Sequence, residues 1–246
     1  MTHPLAAAPA PAGWAGPVVV TGAGRSGQLG IAIARSFAQR GAHVAIVARA
    51  LDDARERAAE LRSEGLTASP FGCDLSDPSA TATLAATVNA ELGHVSVLIN
   101  AAGGFAFSGP VADADPLVPS AQFAISALTA YNATQAFLPA LRTTRGSVVF
   151  VASASVLPGG RVKGLSAYAM AKASVLMLMR AVAQEEANNG VRSNAVAPGA
   201  IRTASNVESM PTTTRYVAPE SVSAAIRFLC SPDAVNVTGQ VIEVTP

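Results

Sequence analysis

Residues 166–172 read Ser-Ala-Tyr-Ala-Met-Ala-Lys, which places Tyr168 and Lys172 four residues apart within a helical pattern. Residues at that spacing share a helix face, so the ammonium group lies beside the phenol. A neighbouring positive charge favours phenolate and draws the phenol pKa down, as a group that exchanges a proton near neutral pH requires. A Tyr-x-x-x-Lys pair on its own is a weak signal that arises by chance. Its weight here comes from what precedes it. An apolar run ends in Ser153-Ala154-Ser155, thirteen to fifteen residues before Tyr168. A serine hydroxyl at that point can hold a substrate oxygen on which negative charge develops.

A second signal lies near the start of the chain. After the apolar run 17–21 come Gly22, Ala23, Gly24, Arg25, Ser26, Gly27, Gln28, Leu29 and Gly30, and then a helical pattern. Glycines allow a tight turn and close approach of a pyrophosphate, and the helix start offers unpaired N–H groups and a positive dipole end. Gly-Lys-Ser/Thr is absent, which excludes the phosphate loop of nucleoside triphosphatases. The second apolar run ends at Ala48-Arg49, with no acidic residue before Asp52 to bond the ribose hydroxyls of NAD. Arg49 and Arg25 are instead placed to clamp a 2′-phosphate. The expectation is NADP(H) preferred, with NAD(H) possible.

These loops need elements to hold them. Apolar runs at 17–21, 43–48, 68–73, 95–100, 147–152, 191–196 and 240–244 read as strands. Helical patterns fall at 31–40, 52–63, 120–141, 167–188 and 219–230, with Gly41 closing the first and Ser76 or Asp77 capping another after the third strand. Continuous apolar strands alternating with helices predict an α/β fold: a Rossmann-type doubly wound parallel sheet of about seven strands with helices on both faces. Ligands bind such sheets at the carboxyl ends of the strands, where both signals lie.

Composition agrees. The chain has 246 residues, half of them apolar, 13% charged, with a net charge of +1. That excludes a disordered chain and a basic nucleic-acid binder, and gives no pull toward a membrane. Residues 1–16, rich in Ala and Pro, lack the pattern of a secretory signal and read as a flexible arm before a single domain at 17–246. The uncharged stretch 116–141 contains three prolines and several polar residues, so it reads as a buried helix with its approach. Cys73 and Cys230 read as buried thiols of a reducing, cytoplasmic compartment, and no metal site can be built from scattered His3, His43 and His94.

Taken together, these motifs resemble the short-chain dehydrogenase/reductase family in its short single-domain branch. The resemblance covers roughly residues 17–244. It is carried by Thr21-Gly22 through Gly30, Asp74-Leu75, Asn100-Ala101-Ala102-Gly103, Ser153/Ser155, Tyr168 with Lys172, and residues 194–199 through Thr203. It implies an oxidoreductase reducing a ketone to an alcohol, or the reverse. In that reading Tyr168 is the general acid or base. Lys172 holds the nicotinamide ribose and tunes Tyr168. Asp74 and Leu75 meet adenine. Asn100, Ala101, Ala102 and Gly103 line the cofactor edge, and Pro198, Gly199 and Ile201 lead to Thr203 at the carboxamide or pyrophosphate. Counting back from Tyr168 by the family's usual thirteen residues gives Ser155, whereas strand register favours Ser153.

Three departures from the family pattern stand out. The glycine loop carries two additional residues. Ser126 stands where the family often has an Asn that supports the Lys through a water, Asn132 being a helix-face residue. The polar segment 204–217 reads as a short or mobile lid over an open site. These departures motivate the alternative of a catalytically weak, cofactor-binding regulatory or scaffold protein; relatives using the same scaffold on an imine or enoyl bond supply a further alternative. The resemblance also implies a homo-oligomer, dimer or tetramer, joined through apolar helices bearing Phe123, Ile125, Leu128, Tyr131, Phe137, Val175, Leu176 and Leu178. Phe105, Phe107 and Leu157 point to an apolar small-molecule substrate.

Overall fold

The computed structural model describes residues 14–246. Most of the expected arm, 1–16, lies outside the described residues. Its last three positions are not an arm. Trp14 donates its indole N–H to the Cys230 carbonyl at 3.2 Å and packs its ring on Phe37, 4.6 Å between centroids. Burying an indole outweighs the entropy of ordering a few residues.

Seven parallel strands form one sheet in the order β3-β2-β1-β4-β5-β6-β7. They are β1 Val18–Thr21, β2 Val44–Ala48, β3 Ala68–Gly72, β4 Val97–Asn100, β5 Ser147–Val151, β6 Arg192–Pro198 and β7 Val241–Val244. Alternate side chains feed opposite faces. Val18 and Val20 enter one core with Val44 and Ile46, while Val19 enters the other with Ala45 and Val47. Both faces are therefore apolar and both are covered. Helices α1 (Leu29–Ala38), α2 (Leu51–Ser63) and α8 (Pro219–Cys230) cover the first. Helices α3 (Pro78–Leu92), α5 (Thr129–Thr144) and α6 (Ser166–Glu185) cover the second.

Local chemistry sets the helix ends. Gly41 turns the chain after α1 at φ 84°. Asp77, not Ser76, caps α3, accepting from the N–H groups of Ser79 and Ala80. The helix expected at 120–141 is a longer rod with a fault in it. The short α4 (Val118–Phe123) passes through a wide π turn at Ala124–Leu128 into α5. Wide turns insert one extra residue and often mark functional positions. Among the described residues no helix is long and apolar enough to cross a membrane.

Candidate active site

The strand order reverses between β1 and β4, and the loops that follow them meet there. Thr21 joins the two. Its hydroxyl accepts from the N–H groups of Ala101 and Ala102, each at 3.1 Å, and donates to the Ile99 carbonyl at 3.2 Å. Gly22 has φ 70°, and a Cβ there would fall 2.7 Å from the Ala102 Cα. A Cβ on Gly30 would fall 2.4 Å from the Gly22 carbonyl oxygen, so α1 packs directly on the loop. Arg25, Ser26 and Gly27 form an exposed turn within the loop. Helix α1 starts at Gln28 without a side-chain cap and without an acid in its first turn. Its leading N–H groups and positive end stay available to an anion, so the cradle fits a pyrophosphate.

Arg49 directly follows β2 and is exposed beside Asp74. Bonds from the Ser76 hydroxyl and N–H hold the Asp74 carboxyl below the usual range, with Arg49 adding to them. Leu75 follows Asp74 at this rim, with its side chain turned inward. It is buried in the core, and its carbonyl accepts from Asn132 Nδ2 at 2.9 Å, which leaves Asn132 structural. One group escaped the sequence reading. A Cβ on Gly24 would lie 3.2 Å from Asp53 Cβ and 3.7 Å from its Oδ2, so a carboxylate from the first turn of α2 flanks the loop. Attention to the residue ending β2 missed a side chain one helical turn further on.

At the other end of the crevice, β4 ends in Asn100. Its Nδ2 donates to Thr134 Oγ1 at 2.9 Å, while its buried Oδ1 has no partner. A Cβ on Gly103 would sit 3.1 Å from Ser126 Oγ and 3.3 Å from Lys172 Nζ, so these three residues converge. The wide turn brings Ser126 here, and its buried hydroxyl also lacks a partner. Lys172 is 6% exposed and donates to the Val151 carbonyl at 2.8 Å. Burial pushes its pKa down to about 8. An ammonium with N–H donors to spare beside unclaimed oxygens suits a ligand rich in hydroxyls, such as a ribose.

Ser153 begins the short turn after β5. Its hydroxyl lies 2.9 Å from that of Ser155 and accepts from the Ser155 N–H at 3.3 Å. It also faces the Tyr168 phenol closely enough to lower its pKa. Burial outweighs this and holds the phenol above its ordinary value. The expectation that Lys172 draws the phenol down is thus corrected: burial sets the direction, and the opposing group is Ser153. Phe105 stands edge-on to Tyr168, 5.2 Å between ring centroids.

The segment expected as a short or mobile lid holds a short helix that bonds back to the glycine loop. Ala204–Ser209 form α7, capped by the Thr203 hydroxyl, and Val217 bridges back to Ile201. Ala204 N–H donates to the Gly27 carbonyl at 3.2 Å, and Ser205 donates to the Gln28 side chain. Helix α7 therefore lies against the glycine loop. Pro198 ends β6, and Gly199 donates to the Val244 carbonyl, holding this stretch at the sheet edge.

Comparisons with known proteins agree with this geometry. Residues 22–245 match a family model described as enoyl-(acyl carrier protein) reductase. Human dehydrogenase/reductase SDR family member 4 is 30% identical over 228 residues, 88% of this chain and 82% of that protein. The 2-(S)-hydroxypropyl-CoM dehydrogenase 3 of Xanthobacter autotrophicus is 29% identical over 90% of this chain and 92% of its own length. Among solved structures, the citronellol catabolism dehydrogenase AtuB of Pseudomonas aeruginosa superimposes with a TM-score of 0.82 at 29% identity, covering 94% of this chain and 93% of that one.

Proposed function

The chain belongs to the short-chain dehydrogenase/reductase family, whose members are NAD(P)(H) oxidoreductases acting on CH–OH and C=O groups, and from that premise we propose that it is an NADPH-dependent reductase of an apolar ketone, or catalyses the reverse oxidation. The observation that carries the reading is Ser153 facing the Tyr168 phenol, with Lys172 one helical turn further along α6.

A bound nicotinamide cofactor supplies or takes up the hydride. The residues of this chain do the rest. Ser153 donates to the carbonyl oxygen and stabilises the charge that grows there. Tyr168 gives its phenolic proton to that oxygen, completing the alcohol, and takes a proton back in the reverse direction. A raised phenol pKa keeps the proton in place until the oxygen becomes basic. Lys172 and Asn100 hold the ribose end, the glycine loop and α1 the pyrophosphate, and Arg49 with Arg25 a 2′-phosphate. Asp53 opposes that last preference and leaves room for NAD(H). Phe105 beside Tyr168 supports an apolar substrate.

The test is loss of NADPH absorbance against a panel of ketones, with NADH in parallel and Tyr168→Phe as control. Ketone-dependent oxidation that Tyr168→Phe abolishes is expected. Silence across the panel with NADPH binding intact would sink the reading in favour of a cofactor-binding protein without turnover. The description of the matched family model favours one second reading, reduction of an enoyl thioester. Oxidation of NADPH by crotonyl-CoA, but by no ketone, would replace the first reading with the second.

A further inference from the structure

At the opposite end of the sheet, where β4, β5 and β6 begin, the C-terminal ends of α1, α5 and α8 border an open cavity of about 560 Å³. Small-molecule sites span roughly 300–1,000 Å³. Its lining includes Trp14, Phe228 and Val235, the last two 45% and 66% exposed. Arg40, Arg145, Arg192 and Arg227 line it too, with Asp233 as the one carboxylate.

The four guanidinium groups differ in what they do. Arg192 is engaged, donating to the carbonyls of Leu229 and Ser231. Arg40, Arg145 and Arg227 make no ion pair among the described residues. Residues 1–13 contain no Asp or Glu that could reach them. Helix C-termini favour cations, which accounts for arginines at these three ends. It does not supply them with acceptors. The last carbonyls of α8 are already taken, Phe228 by Ser231, Leu229 by Arg192 and Cys230 by Trp14. The positive charges also press on one another, since Arg227 is held below its ordinary pKa by burial and then by Arg40. Arg145 sits at φ 50°, a left-handed C-cap position that glycine or asparagine usually fills. Three arginines, each able to offer five N–H donors, thus line one cavity with one carboxylate.

We propose that this cavity is a second ligand site for a small molecule with an oxyanion head, phosphate or carboxylate, on an apolar body. The head lies among Arg40, Arg145 and Arg227, and the body lies against Trp14 and Phe228. The site is remote from the carboxyl-edge crevice and independent of the reaction proposed there.

Trp14 is the only tryptophan of the chain, so its fluorescence reports on the cavity. The experiment titrates phenyl phosphate into the full-length protein saturated with NADP+, with phenylacetate, inorganic phosphate and neutral benzyl alcohol in parallel. A saturable change with phenyl phosphate or phenylacetate is expected, and the tighter of the two identifies the head group. Inorganic phosphate and benzyl alcohol should each bind at least about tenfold more weakly, as should phenyl phosphate to the Arg40→Ala/Arg227→Ala protein. Should that variant lose its cooperative thermal transition, Arg145→Gln, on an exposed side chain, carries the same comparison. Three results would overturn the proposal: no saturable change, equal binding of inorganic phosphate or benzyl alcohol, or binding unaltered by the arginine variants. A fluorescence change whose midpoint follows protein concentration would also overturn it, assigning the cavity to contact between copies.

Discussion

Lys172 donates to the carbonyl oxygen of Val151 at 2.8 Å. That bond ties α6, which carries Tyr168, to the last residue of β5, two positions before Ser153. It fixes the helix that brings the proton donor against the strand end that brings the carbonyl-binding hydroxyl. It also holds the ammonium where little solvent reaches it.

The electrostatic consequence is measurable. The pKa of Lys172 is about 8 in the folded chain, against an ordinary value of 10.5. Between those values the unfolded chain binds a proton that the folded chain has released, so stability rises with pH across that window and is flat below it on this account. Chemical denaturation at pH about 8 and about 10 should show the wild type gaining about 2 kcal/mol relative to Lys172→Met. Parallel behaviour of the two proteins would show that burial imposes no such penalty.

Ser153 and Ser155 separate by what they touch. Ser153 faces the Tyr168 phenol, whereas Ser155 reaches only Ser153 among the side chains. Ser153→Ala should lower kcat by about 10²–10³, the usual loss for one donor to a developing oxyanion. Ser155→Ala should cost less than about tenfold. Steady-state kinetics with the best ketone of the panel decide it, and the reverse ranking would reassign the role.

At the adenosine end, Arg49 and Asp53 pull in opposite directions. Arg49→Ala should weaken NADPH binding by about tenfold or more, the scale of one charged hydrogen bond, and leave NADH nearly unchanged. Asp53→Ser should strengthen NADPH relative to NADH. Calorimetric titration of both nucleotides checks this, and equal losses for the two would refute 2′-phosphate recognition by Arg49.

Ser126 offers a test of support for Lys172. Its buried hydroxyl has no partner, so removing it leaves no orphan behind and Ser126→Ala should keep its Tm. If the hydroxyl holds a water against Lys172, kcat should fall by about tenfold with KM for the cofactor unchanged, and Ser126→Asn should restore it. An unchanged kcat and pH profile in Ser126→Ala would leave Ser126 with a packing role.

Assembly is tested through the outer face of the α4–α6 layer. Phe137 and Val175, named with that face in the sequence, fill the core instead. Phe123, Ile125, Leu128 and Tyr131 remain 38–51% exposed. A homo-oligomer joined there should scatter light with a mass that is a multiple of 24.7 kDa, and Leu128→Asp should reduce it toward one chain. A wild-type mass of one chain would rule the interface out.

Much of this was legible in the residues. Seven apolar runs became seven strands, because β-branched residues buried on both faces leave few alternatives to a parallel sheet. Gly22 and Gly30 marked the cradle because no other residue fits where a Cβ would strike backbone. Tyr168 and Lys172 shared a helix face because four residues are about one turn. Each of these rests on contacts local in sequence or on a period.

What the sequence could not determine was every relationship between distant segments. The wide turn at Ala124–Leu128 has no compositional mark, yet it sets Ser126 beside Gly103 and Lys172. Trp14 reads as part of a loose tail until Phe37 and Cys230 offer it a place to be buried. The direction of the Tyr168 shift follows from desolvation, which depends on atoms contributed by the whole fold and not on the lysine four residues away. The convergence of Arg40, Arg145 and Arg227 on one cavity joins three helix ends far apart in the chain. Local propensity and period fix which elements form and which groups they carry. Burial and long-range packing alone decide which of those groups meet, and in what state of protonation.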